Sequence, residues 1–152
     1  MVKYSPIVGE IVECDFGKIM DPRPTPIFNG IILNEIRKRR PAVVLNGKLP
    51  NGCCLVVPIS STGNPGCVTR GFHVPLGQHL FPEDIFDRRD RWAIAECMTH
   101  VSKERLYGYY AGGQARKVAL PREVVADIQR AMIRSLNGLS LLAPAEPYVE
   151  AV

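Results

Sequence analysis

The chain has 152 residues, 46% of them hydrophobic and 22% charged, the proportions of an ordinary soluble domain with one core. No apolar run is long enough to cross a bilayer and no export pattern opens the chain, so a cytoplasmic protein without a membrane partner is expected. Its formal net charge of +4 is too small by itself to establish a polyanionic partner.

The first element is "GEIVECDFG" (9–17), where Val12, Cys14 and Phe16 alternate with Glu13 and Asp15. That period of two predicts a half-buried strand. Residues 18–34 carry Pro22, Pro24 and Pro26, which forbid helix and central strand, so a long connecting loop is expected. "PAVVLN" (41–46) and "CCLVVPI" (53–59), separated by "GKLPNG", read as two strands of a tight meander, each buried on both faces. A short strand follows at 71–76 and a longer one at 91–102, with "GNPG" and "LGQHLFPEDIFDRRD" as punctuation. Tyr107, Tyr109 and Tyr110 before Gly112–Gly113 suggest a last strand or an aromatic-bearing loop.

One helix is expected from Pro121 to a stop at Asn137–Gly138, with Val124, Val125, Ile128, Met132 and Leu136 on its apolar face. Residues 139–152 show no periodicity and are expected to be a loosely ordered tail behind a single domain at 1–138. Several short strands and one terminal helix make a mainly β, α+β chain: a small bent sheet or barrel.

Cys14, Cys53, Cys54, Cys67 and Cys97 are odd in number and contain no C-x-x-C pair, and His73, His79 and His100 are scattered. Their spacing predicts small core residues, with no disulfide framework, metal site or cofactor. Basic residues, by contrast, cluster at Arg37, Lys38, Arg39 and Arg40, at Arg88, Arg89 and Arg91, and at Arg116 and Lys117. Clustered cations are the footprint of phosphate binding, and also of a solvated loop.

Arg40 precedes a proline, which biases it toward extended geometry at a strand entrance, and its planar fork suits a phosphate. "PISST" (58–62) ends a strand in the hydroxyls of Ser60, Ser61 and Thr62, a pattern common to caps and turns. If the two buried strands form a meander, Arg40 and Ser60 share one rim, and an arginine–hydroxyl pair beside a basic loop can serve a phosphodiester.

In order along the chain, "GEIVECDF" (9–16), Glu35 five residues before "RPAVVLN" (40–46), "CLVVPISST" (54–62), "FHVPL", "WAIAE" (92–96) and the closing helix resemble the MazF/PemK (Kid) family of type II toxins, over roughly residues 6–138. The resemblance implies an SH3-like, CcdB-type barrel and a homodimeric, metal-independent endoribonuclease acting on single-stranded RNA, restrained by a cognate antitoxin. It assigns Arg40 to the transition-state phosphorane and Ser60 to the family's hydroxyl. By the same resemblance Glu35 and Glu96 take the acidic positions, and Arg37, Lys38, Arg39, Ser61 and Thr62 are expected to line the RNA. Glu35, Glu96 and His100 all stay open as the base. The chain departs from the family in having serine for threonine at 60, glutamate for aspartate at 96, a longer proline-rich connection at 18–34 and an extra tail. Two other classes remain: a CcdB-like gyrase poison, for which "PYVEAV" lacks a terminal tryptophan, and a barrel that binds RNA or protein without cutting.

Overall fold

The computed structural model describes residues 1–18 and 34–142. The expected 18–34 loop, apart from its two end residues, and most of the 139–152 tail lie outside those residues. Three strands form the centre: β1 (Glu10–Asp15), β2 (Arg39–Asn46) and β3 (Cys53–Ser60). They pair antiparallel, with Cys14 opposite Arg40 and Ala42 opposite Pro58. Side chains alternate between two apolar clusters: Ile11, Val43, Val57 and Ile59 on one face, Val12, Cys14, Ala42, Val44 and Val56 on the other. Each such fully buried aliphatic side chain stabilises the fold by roughly 1.5–3 kcal/mol, which fixes the register, because a one-residue slip would exchange the two faces.

The strand expected over 91–102 is broken. β4 (His73–Leu76) pairs with β5 (Arg91–Ile94), a one-turn 3₁₀ segment takes Ala95–Cys97, and β6 (Thr99–Ser102) resumes. Both β5 and β6 lie on the same edge of β3, yet Ile59 faces Ala93 while Val56 faces Thr99. Three steps along β3 therefore meet six along its partner, and the turn carries the excess. It lifts Glu96 out of the ladder.

β7 (Leu106–Tyr107) and β10 (Val118–Ala119) both pair with β1. The tyrosine-rich segment becomes a hairpin of β8 (Tyr109–Ala111) and β9 (Gln114–Arg116). Its two-residue turn is Gly112–Gly113, both at positive φ (56° and 77°), the conformation that a tight hairpin needs. The strand order β10-β1-β2-β3-β5-β4 does not close on itself among the described residues. The architecture is the expected mainly β one, as an open ladder.

α1 (Pro65–Thr69) was not expected; Asn64 caps it, accepting from Cys67 N at 3.1 Å, and Pro65 opens it. α2 (Arg122–Ser135) begins after Pro121 as expected and buries Val125, Ile128, Ala131 and Met132 against the first cluster. Leu136 differs from expectation. It is 69% exposed, because the helix ends one residue earlier and Gly138 N turns back to Ile133 O at 2.9 Å.

Glu10 is the one carboxylate buried in the core among the described residues, satisfied by Tyr4 Oη and by Ile7 N. Burial pushes the Cys14 thiol up to about 12, with Arg105 opposing, and raises Cys54 with Lys103 opposing. A thiol that must stay neutral in the fold but ionises freely near 9.0 when unfolded stabilises the fold fully below that pH. Thermal melts should hold steady from neutral pH to about 9 and then fall toward pH 12, with Cys14→Ala flattening the decline.

Candidate functional site

The basic run is pinned at the mouth of β2. Lys38 adopts a positive φ of 70°, a costly conformation for a residue with a side chain, held from both sides. Its N–H donates to Gly17 O at 2.7 Å and its carbonyl accepts from Phe16 N at 3.1 Å. The kink turns the chain so that Arg40 Nε donates to Arg37 O at 3.0 Å. Burial lowers the Arg40 pKa; the Cys97 thiol nearby opposes that shift and Arg37 adds to it. A guanidinium remains charged at any biological pH regardless. Arg40 is thus a half-buried cation with its geometry fixed by main chain.

The β2–β3 pairing ends at Ala42 opposite Pro58, so Arg40 and Ser60 each lie two residues beyond it, at the same end of the sheet. Ser60 also ends β3 beside Trp92 of β5. Its Oγ accepts from Thr62 N at 3.1 Å and reaches Thr62 O at 3.5 Å, so the hydroxyl shapes a local turn as well as standing at the rim. Ser61 and Thr62 are exposed next to it. Arg39 stacks 4.1 Å over the Tyr107 ring and lies 3.6 Å from Glu13, which also accepts from Tyr109 Oη at 2.8 Å. Burial holds the Tyr109 phenol far above its ordinary range, with Glu13 adding to the shift.

Of the acidic candidates, Glu35 is exposed on the segment leading into the basic run. Glu96 sits on the Ala95–Cys97 turn and meets His73 Nε2 at 2.6 Å. It is Cys97, the next residue, whose thiol lies close enough to Arg40 to shift it, and burial in turn raises that thiol. His100 is exposed on β6, opposite Leu55. Cys67 adds a sulfur beside His73 and Glu96, the group best suited to hold a cation among the described residues.

The arginines of the other basic clusters are paired with acids, and Lys117 lies 4.1 Å over the Tyr4 ring. Arg88 pairs with Glu83, Arg89 with Asp87, and Arg116 with Asp84. Arg91 is 7% exposed, 2.7 Å from Asp87 Oδ1 and stacked near Phe81 and Phe86. Those arginines tie down the segment before β5. Among the described residues no ion pair joins Arg37 or Lys38 to an acid, while Arg39 approaches Glu13 at 3.6 Å. Sequence clustering could not separate these cases, because the acids at 83–87 compensate an arginine as distant as Arg116.

A family model of PemK-like, MazF-like toxins of type II toxin–antitoxin systems matches residues 8–136. The chain is 40% identical over 146 residues to the uncharacterized protein YifN of Escherichia coli K12, covering 93% of this chain and 98% of that one. It is 41% identical over 141 residues to an uncharacterized protein of Haemophilus influenzae, covering 92% and 96%. Among solved structures, a mycobacterial endoribonuclease in complex with its cognate antitoxin superposes with a TM-score of 0.54 at 15% identity, over 91% of this chain and 99% of that one. The MazE–MazF complex of Deinococcus radiodurans gives 0.51 at 20% identity, over 89% and 99%. At those identities the two structures speak to the fold.

Proposed function

Because the chain belongs to the family of PemK-like, MazF-like toxins of type II toxin–antitoxin systems, we propose that it is a cytoplasmic endoribonuclease that cuts single-stranded RNA at the Arg40 rim. The observation that carries this reading is Arg40 itself, a half-buried guanidinium held by the Arg37 carbonyl at the same end of the sheet as Ser60, beside the cations of Arg37, Lys38 and Arg39. In the reaction, the 2′-oxygen bonds to the adjacent phosphorus as its proton leaves to a base, the bond from phosphorus to the 5′-oxygen breaks, and the departing 5′-oxygen takes up a proton from an acid or from water. Negative charge builds on the non-bridging oxygens, where the Arg40 guanidinium meets it without reorganising. Ser60 orients the phosphate. Glu35 and Glu96 are the carboxylates offered for proton transfer, and Arg37, Lys38, Arg39, Ser61 and Thr62 position flanking nucleotides.

The test is one incubation of a long single-stranded RNA in excess EDTA, followed by analysis of the new ends. Cleavage to 2′,3′-cyclic phosphate and 5′-hydroxyl ends is expected. RNA that is bound and left intact would instead favour a barrel that binds without cutting. Ser60→Ala should be mild, because it removes one neutral hydrogen bond worth about 0.5–1.5 kcal/mol, or roughly 2- to 13-fold in rate. A loss of several hundredfold in single-turnover cleavage would give Ser60 a larger role than orienting.

Cationic contacts release counterions from the nucleic acid, so RNA affinity should fall with salt. With about three to five phosphates engaged, log K should drop with log salt at a slope near −2 to −3.5. The chain works as a homodimer whose RNA groove crosses the interface, and a cognate antitoxin lays an acidic, otherwise disordered segment into that groove. Reversing the charge of Arg37 and Lys38 should weaken RNA and antitoxin together in parallel titrations. Antitoxin affinity that survives the reversal would place its site elsewhere.

A further inference from the structure

Glu96 does not stand alone. Cys67 of α1, His73 of β4 and Glu96 of the Ala95–Cys97 turn place one sulfur, one ring nitrogen and one carboxylate oxygen within 4.8 Å of one another. Three separate segments converge there, which sequence spacing alone did not announce. The His73 side chain is only 9% exposed, its Nε2 meets Glu96 Oε1 at 2.6 Å, and its buried Nδ1 has no hydrogen-bond partner among the described residues. Arg70 Nη2 lies 3.4 Å from Cys67 Sγ and, as an exposed residue, is free to withdraw. Glu96 is 38% exposed and supplies an entry path.

We propose that Cys67, His73 and Glu96 bind a zinc-type divalent cation, with a fourth position open to water on the Glu96 side. Thiolate, imidazole and carboxylate together make a donor set of borderline softness that suits zinc and its spectroscopic stand-in cobalt and does not suit magnesium or calcium. Bonds of about 2.0–2.3 Å in a tetrahedron hold ligand atoms roughly 3.5 Å apart, which the present cluster reaches by side-chain rotation. On binding, the Cys67 thiol proton is released to solvent, and His73 ligates as neutral imidazole with its remaining proton on the other ring nitrogen. The cation staples α1, β4 and the turn together, and that turn carries Cys97 against Arg40. Holding the cation also draws Glu96 away from proton transfer. The site stands on its own geometry, whatever the RNA reaction proves to be.

The test is titration of the dialysed full-length protein with Co²⁺ and then Zn²⁺, read by absorption. One equivalent of cobalt should bind at micromolar concentration with a near-ultraviolet thiolate charge-transfer band and the strong visible bands of tetrahedral geometry, and zinc should erase both. Cys67→Ser should abolish the thiolate band. Glu96→Gln and His73→Gln should each weaken zinc by at least the roughly 10–100-fold that losing an outer-shell partner costs. Cys53→Ser, away from the cluster, should leave the spectrum unchanged. No band at micromolar cobalt, or a band that survives Cys67→Ser, overturns the proposal, because the remaining thiols would then be the ligands. Should His73→Gln fold poorly, the wild-type and Cys67→Ser spectra decide by themselves.

Discussion

Arg40→Ala is expected to slow RNA cleavage by about 10²–10³-fold, the roughly 2.7–4 kcal/mol lost with one preorganised donor at a developing charge. The size follows from placement. Main chain at Arg37 holds the guanidinium, burial dries it, and no rearrangement is needed when the phosphorane forms. Arg40 belongs to neither apolar cluster, so the variant should fold with an unchanged circular dichroism spectrum. RNA should still bind through Arg37, Lys38 and Arg39. Arg40→Lys should rescue only in part, because a point charge on a flexible stem lacks the planar fork. In cells, loss of toxicity should accompany loss of cleavage.

Ile128→Ala should give the largest loss of stability, about 2–5 kcal/mol. Ile128 is fully buried at the centre of the α2 face, and removing three carbons there leaves a cavity that Val125, Ala131 and Met132 cannot fill. For a chain of this size, each kcal/mol lowers the melting temperature by about 2–4 °C, so a drop of roughly 4–20 °C is expected in calorimetry. Well below that temperature, cleavage per folded molecule should be unchanged, since α2 supplies no group to the Arg40 rim. A stability loss under about 1 kcal/mol would mean the helix packs more loosely than its burial indicates.

The central meander was legible because its information is local. Alternation in "GEIVECDFG" set the face of Val12 and Cys14, and the turn residues around "GKLPNG" predicted the antiparallel pairing of β2 with β3. α2 was legible for the same reason, apart from its last turn. The break at Ala95–Cys97 was not legible. "WAIAECMTHVS" contains no glycine or proline to interrupt it, and the three extra residues exist only relative to β3. The same turn hid the approach of Glu96 to His73 and Cys67, since nothing in the spacing of those three residues announces their contact. Arg91 read as a surface cation, yet it is buried because Asp87 and two aromatic rings receive it. Pairings of that kind become visible only once the chain is folded.

The most direct measurement sets Arg40→Ala beside Arg37→Ala in single-turnover cleavage at saturating enzyme, with RNA affinity measured on the same samples. Arg40→Ala should keep near wild-type affinity and lose about 10²–10³ in rate at saturation, whereas Arg37→Ala should bind more weakly and recover its rate once saturated. If both variants lose activity equally, and only through weaker binding, Arg40 merely positions the RNA and the catalytic assignment is wrong.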